Sequence, residues 1–206
     1  IRIEYILDEI SKHFKINSKE SCLNNFEVLD IGCGGGLMSE PMARLGANVT
    51  GIDAAIKNIQ VASLHSKKNN LKINYLNKSP EQLNEKEKFD IILNLEVVEH
   101  VDNLDLYLES CYKLLKKNGL MFTATINRTL ISYIKAIVGA EYILRWLPIG
   151  THDWNKFIKP EELEKKLTDK KFSTNNIKGL EFNPINNKWK KTDNYSVNYI
   201  ICSFKS

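Results

Sequence analysis

The sequence predicts an α/β fold in which a mostly parallel sheet is covered by helices on both faces. Three observations predict it. Short apolar runs alternate with segments of helical spacing from residue 3 to residue 125. The first run, Phe26–Ile31, enters a cluster of glycines at 32, 34, 35 and 36. The second, Asn48–Ile52, stops at an acidic residue, Asp53. In such sheets the crossovers are right-handed, and ligands bind beyond the carboxyl ends of the strands.

The elements follow in order. Ile3, Ile6, Leu7, Ile10 and Phe14 recur at helical spacing and predict a helix over 3–14. Phe26–Ile31 is the first buried strand. Leu37–Leu45 reads as a helix stopped by Gly46. Asn48–Ile52 is the second strand and Ala54–Lys68 the next helix, closed by Asn69 and Asn70. Lys72–Leu76 and Phe89–Leu93 are strands three and four. Leu104–Lys117 is a helix for which Asn118 and Gly119 make a C-terminal stop. Leu120–Thr125 is strand five. An apolar, aromatic insertion interrupts the alternation over about 127–158. Pro160 suits a helix start, and that helix runs to about Lys170. Two strand-like stretches, 172–180 and 196–204, bring the expected strands to seven, with a long hairpin through the polar residues 183–194. The 206 residues make one domain.

Composition narrows the function classes. With 29 Lys plus Arg against 25 Asp plus Glu, the formal charge is only +4, and no basic face marks a nucleic-acid binder. Cys22, Cys33, Cys111 and Cys202 include no Cys-x-x-Cys pair, which reads as reduced thiols in a cytosol-like compartment. The chain opens on Ile1 rather than Met, so the expectation is a native start upstream, where a targeting segment has its place.

Two features point to a nucleoside-bearing ligand. Asp30-Ile-Gly-Cys-Gly-Gly-Gly36 couples a strand end to a tight turn that lets a ligand lie against the backbone, with free N–H groups at the following helix. The dinucleotide pattern G-x-G-x-x-G fails, because counting from Gly32 puts Leu37 at its last position; this argues against a dehydrogenase. What remains, Asp-x-Gly-x-Gly-x-Gly, resembles motif I of the class I S-adenosylmethionine-dependent methyltransferases. Asp53 lies about 20 residues on, where a carboxylate accepts hydrogen bonds from both ribose hydroxyls; the same residue suits a helix N-cap.

A third feature is Asn94-Leu-Glu-Val-Val-Glu-His-Val101 after strand four. If it turns helically, Glu96, Glu99 and His100 share a face at i, i+3 and i+4. That trio suits a hard divalent cation such as Mg²⁺, or supplies a general base. It equally suits a solvated helix start, whose dipole favours acids.

Together with these motifs, Val138-Gly-Ala-Glu-Tyr-Ile-Leu-Arg145, Gly150-Thr-His-Asp153, Lys156-Phe-Ile-Lys-Pro160, Gly179-Leu-Glu-Phe-Asn-Pro-Ile185 and Val197-Asn-Tyr199 occur in one order. In this the chain resembles the ubiquinone-biosynthesis O-methyltransferases, bacterial and mitochondrial, from Arg2 to about Cys202. The resemblance implies a Rossmann-like class I methyltransferase fold. It implies S-adenosylmethionine contacts at Arg2, Gly32, Asp53 and Leu95, with Gly34 in the same turn, and a metal site at Glu96, Glu99 and His100. It also implies a polyprenylated phenol as substrate, of the 2-polyprenyl-6-hydroxyphenol or 3-demethylubiquinol type, and assembly with other enzymes of that pathway. The implied location is the bacterial cytoplasm or mitochondrial matrix, peripheral to the inner membrane.

The insertion carries Ile131, Ile134, Ile137, Val138, Ile143, Leu144 and Trp146, interrupted by Lys135, Glu141 and Arg145. It is a poor membrane span. It reads either as a lid that completes the core or as a segment lying in an anionic membrane surface at about 130–147, and the polyprenyl substrate favours the second. His152 and Asp153 follow it, and His152, like His100, is a candidate to deprotonate a phenol. His13 and His65 carry no assigned role. The expected chemistry is metal-assisted O-methylation of a catechol. The alternatives are methylation of a small soluble acceptor and a non-catalytic membrane-associated scaffold.

Overall fold

A computed structural model describes residues 2–16, 22–129, 132, 154–183 and 188–206. The insertion expected at 130–147, together with His152 and Asp153, lies outside the described residues apart from Ser132.

The chain opens with α1 (Arg2–Phe14), whose buried face carries Tyr5, Ile6 and Ile10 at helical spacing. Then follow β1 (Glu27–Ile31), α2 (Ser39–Arg44), β2 (Asn48–Ile52), α3 (Ile56–Lys68), β3 (Ile73–Leu76), β4 (Phe89–Leu95), α4 (Leu104–Leu114), β5 (Leu115–Ile126), α5 (Pro160–Asp169), β6 (Phe172–Asn183), β7 (Lys188–Thr192) and β8 (Asn198–Lys205). The strands form one sheet in the order β3-β2-β1-β4-β5-β8-β6-β7. From β3 to β5 the pairing is parallel, and β8 pairs antiparallel with both β5 and β6. The order reverses at β1, which leads next to β2 on one side and has β4 on its other. That switch point is where an open α/β sheet leaves a crevice.

Period-two alternation divides the core into two layers. Leu29, Ile92, Met121 and Ile201 face α4 and α5 through Leu108, Cys111, Leu163 and Leu167. Val28, Ile91, Phe122 and Ile200 face the other way, onto Tyr5, Ile6 and Ile10 of α1 and Met42 of α2. Cys22, Cys33, Cys111 and Cys202 are all free thiols.

The expected α/β class and element order are present, with four differences. Helix α2 starts at Ser39 rather than Leu37, because Pro41 has no N–H to give and belongs in a first turn. Helix α3 starts at Ile56 rather than Ala54, because the Asp53 carboxylate captures the Ala55 N–H at 2.8 Å in a turn. Helix α4 ends at Leu114, and Asn118 is no helix cap. Leu115 already pairs with Phe89 and the next pairing is Ile91 with Leu120, so residues 116–119 bulge from β5 with Asn118 at φ +60°. The polar stretch after β6 supplies an eighth strand, β7, where seven strands were expected. His13 and His65 both have structural partners, the Asn118 carbonyl at 2.8 Å and the buried Glu40 carboxylate at 2.5 Å.

Candidate active site

The site begins at the end of β1. Its turn is tied to β2 by the Cys33 N–H, which donates to the Ile52 carbonyl at 3.0 Å, and is closed by the Gly36 N–H on the Cys33 carbonyl at 2.9 Å. Gly32 has φ +66° and Gly34 φ +53°, the left-handed region that disfavours side chains. The two positions need glycine for different reasons. A Cβ on Gly32 would stand 2.5 Å from Val97 Cγ2, whereas a Cβ on Gly34 would meet nothing within 4 Å. Gly32 is required by packing, and Gly34 presents bare backbone to open space.

Beneath the turn, buried Asp30 accepts from Ser39 Oγ at 2.6 Å, which ties β1 to α2. Burial pushes the Asp30 carboxyl up to about 6, against the opposing pull of the Ser39 hydrogen bonds. The folded state therefore favours the neutral acid. Its contribution to stability is complete below the ordinary value of 3.8 and is lost as pH rises to about 6. Asp30→Asn keeps an acceptor for Ser39 but does not titrate. Its stability relative to the parent chain is expected to improve by up to about 3 kcal/mol between pH 3.5 and pH 7. Urea unfolding of both chains across that range checks this; a constant difference would contradict it.

Asp53 stands at the end of β2, partly exposed. Its Oδ2 accepts the Gly34 N–H at 3.0 Å and its Oδ1 the Ala55 N–H at 2.8 Å, so this carboxylate joins the glycine turn to the approach of α3. Asn58 Nδ2 lies 3.2 Å from each of the two oxygens. Asn77 holds the same corner by donating to the Asp53 and Ala54 carbonyls at 2.8 and 2.9 Å.

A cavity of about 570 Å³ opens at this corner, within the range of small-molecule sites. Gly32, Asp53 and Ala54 line one wall, Lys78–Glu81 a second, and Glu96, Val97, His100 and Val101 a third, with Leu106 and Tyr107 of α4 behind. It lies at the carboxyl ends of β1, β2, β3 and β4, where the strand order turns. Sequence reasoning missed the wall after β3. Ser79-Pro80 was its one local signal, since Pro80 opens a short 3₁₀ turn there and the Gln82 side chain accepts the Ser79 N–H at 2.9 Å.

The segment after β4 departs from expectation. Glu96 takes φ +57°, and only Val98–His100 form a 3₁₀ turn, so the residues share no helical face. Glu96 pairs with the Arg2 guanidinium of α1. Glu99 is buried and accepts from Thr125 Oγ1 of β5 at 2.8 Å; burial, then the nearby Glu96 carboxylate, raise its pKa well above the ordinary range. His100 is exposed at the cavity wall. Among the described residues no three His, Cys, Asp or Glu side chains gather to hold a metal ion. The expected Glu96, Glu99 and His100 trio thus does not fit Mg²⁺ as it stands: the Glu96 and Glu99 carboxylates lie near one another, but Glu96 is also paired with Arg2 and no three-ligand group forms among the described residues. Leu95, half-buried at the end of β4, turns its side chain to the α1 side with Leu93 and packs there.

Residues 1–173 match a family model described as a methyltransferase domain. The chain is 59% identical over its whole length to a ubiquinone biosynthesis O-methyltransferase of Pelagibacter ubique, covering 86% of that protein. It is 49% identical, again over its whole length, to the one from Bartonella tribocorum, covering 84% of it. The chain belongs to the ubiquinone biosynthesis O-methyltransferase family. It is an S-adenosylmethionine-dependent O-methyltransferase. Solved structures agree on the fold. An S-adenosylmethionine-dependent methyltransferase from Clostridium acetobutylicum superposes with a TM-score of 0.71 at 15% identity, over 98% of this chain and 90% of that one. A magnesium protoporphyrin IX methyltransferase from Synechocystis with bound SAH gives 0.69 at 17%, over 100% and 82%. The residues of this family member fit the cofactor: a Cβ at Gly34 would meet only open space, which suits a ligand in van der Waals contact with the turn, and Gly32 and Asp53 line the cavity beside it.

Proposed function

We propose that this methyltransferase methylates a phenolic hydroxyl of a polyprenylated catechol or hydroxyquinol, of the 2-polyprenyl-6-hydroxyphenol or 3-demethylubiquinol type, in ubiquinone biosynthesis. The observation that carries the reading is the 59% identity over all 206 residues to a protein of that name. The cavity supports it, joining the glycine turn and Asp53 to a wall containing Glu96 and His100.

S-adenosylmethionine, when bound, supplies a methyl group already activated by its positive sulfonium. The chain's own task is placement and proton removal. Asp53 holds the nucleoside end, and the turn at Gly32 and Gly34 takes the amino-acid end. Tyr107, whose hydroxyl donates to buried Asn94 at 2.8 Å, keeps the α4 wall in place. Such positioning accounts for several powers of ten in rate. A phenol, with a pKa near 10, is mostly protonated at neutral pH, so a base must take its proton. His100 stands at the cavity wall, and an imidazole suits that role. His152 is the second candidate, outside the described residues.

No step is assigned to a metal ion, because Glu96, Glu99 and His100 do not gather into a three-ligand group among the described residues. The segment 130–147 is proposed to lie in the anionic surface of the membrane that holds the substrate, in a bacterial cytoplasm or mitochondrial matrix, beside other enzymes of the pathway. Among the described residues no helix is long and apolar enough to cross a membrane.

One assay tests the reading: methyl transfer to a short-tailed polyprenyl catechol presented in anionic vesicles, with and without Mg²⁺. The expected outcome is turnover and co-sedimentation of the chain with the vesicles. His100→Gln should lower kcat about 100-fold with cofactor affinity unchanged. Preference for an untailed soluble catechol over the tailed one would favour the soluble-acceptor alternative.

A further inference from the structure

The carboxylate of Asp53 has about four lone-pair sites to offer. Three protein donors reach it, and one of them touches both oxygens. The Gly34 and Ala55 N–H groups take one each, at 3.0 and 2.8 Å, along good backbone geometry. The Asn58 side-chain amide reaches both oxygens at 3.2 Å, the longest contacts of the set. The backbone donors are fixed by the turn and by the start of α3. Asn58 is exposed on the first turn of α3, and its side chain can swing into water at little cost.

This inference rests on the reading of Asp53 as the ribose acceptor. Two ribose hydroxyls need two acceptor sites on a carboxylate that three protein donors already engage, one of them bridging both oxygens. We propose that Asn58 is an affinity-setting residue of the cofactor site, whose amide occupies on Asp53 the positions that the ribose hydroxyls take, and which must leave when the nucleoside binds. The competition is one-sided. The backbone bonds keep the carboxylate aimed at the cavity whether or not Asn58 is present, so the amide is not needed to orient it. Asn58 therefore lowers affinity for any ligand carrying a 2′,3′-diol and leaves a ligand without that diol largely unaffected.

The test is calorimetric titration of the whole chain, with S-adenosylhomocysteine and with its 2′-deoxy analogue as probes. Asn58→Ala is expected to bind S-adenosylhomocysteine about threefold to tenfold more tightly than the parent, the span that one net hydrogen bond covers. The gain is expected to shrink to about twofold or less with the deoxy analogue. An unchanged or weakened affinity in Asn58→Ala, or an equal gain with both ligands, overturns the proposal. Thermal unfolding of the variant confirms that α3 is intact, and Asn58→Ser, which keeps a small polar side chain too short to span both oxygens, gives the same direction of change. If instead the parent chain binds the two ligands alike, the reading of Asp53 as ribose acceptor is what has failed.

Discussion

Asp53→Ala is expected to weaken S-adenosylhomocysteine binding about 100-fold while leaving the chain folded. Hydrogen bonds to a charged group contribute roughly 1.5–3 kcal/mol each, and in the proposed complex two ribose hydroxyls share this carboxylate. A 100-fold loss corresponds to about 2.8 kcal/mol, below the simple sum because water replaces part of the interaction. A second effect has the same sign. Asp53 accepts the N–H groups of Gly34 and Ala55, so its loss loosens the glycine turn and the approach to α3 together. Both donors can turn to solvent at this partly exposed corner, which is why stability changes little. Titration calorimetry measures the affinity, and a thermal melt checks the fold. An affinity within threefold of the parent would remove Asp53 from the site.

Gly32→Ala should act on the fold and on the site at once. The added methyl stands 2.5 Å from Val97 Cγ2, and valine is stiff at its only side-chain torsion, so relief costs either a disfavoured rotamer or a backbone shift. The positive φ of 66° adds strain of its own. Overpacking and strain together are expected to lower stability by about 2–4 kcal/mol, a large share of a domain's usual margin. Val97 adjoins Glu96 and lines the cavity, so cofactor affinity falls as well. Gly34→Ala is the control, with φ +53° but no neighbour for the new methyl within 4 Å. It should lose only about 1–2 kcal/mol of stability and yet weaken cofactor binding markedly, since the methyl enters the space against the turn. Urea unfolding and titration of both variants separate the two effects. Equal loss of stability in the pair would contradict the assignment of Gly32 to packing and Gly34 to the ligand.

Much of this was legible in the sequence, because it rests on local rules. The glycine turn and Asp53 announce themselves through backbone chemistry at fixed strand ends, and the structure brings Gly32 and Asp53 to one cavity, with the Gly34 N–H hydrogen-bonded to Asp53. The strand and helix alternation likewise reflects burial on two faces. What was not legible depends on partners distant in the chain. Glu96, Glu99 and His100 share a helical face only if the backbone stays helical; the left-handed turn at Glu96 breaks that face, although the Glu96 and Glu99 carboxylates still lie near one another. Their actual partners, Arg2 for Glu96 and Thr125 for Glu99, lie 94 and 26 residues away. The bulge at 116–119 was read as a helix end because Asn-Gly suits both, and only the pairing with Phe89 decides. Asn58 carried no signal, since a polar residue on an exposed helix face looks ordinary until its reach to Asp53 is known.

The central claim is that the methyl donor lies against this corner, its ribose on Asp53 and its amino-acid end on the glycine turn. The most direct measurement is a crystal structure of the chain with S-adenosylhomocysteine. The expected result is ribose hydroxyls within about 3 Å of the Asp53 oxygens, the amino-acid end against Gly34, and the Asn58 amide turned away. A ligand bound elsewhere, or a ribose with Asp53 still held by Asn58, would contradict it.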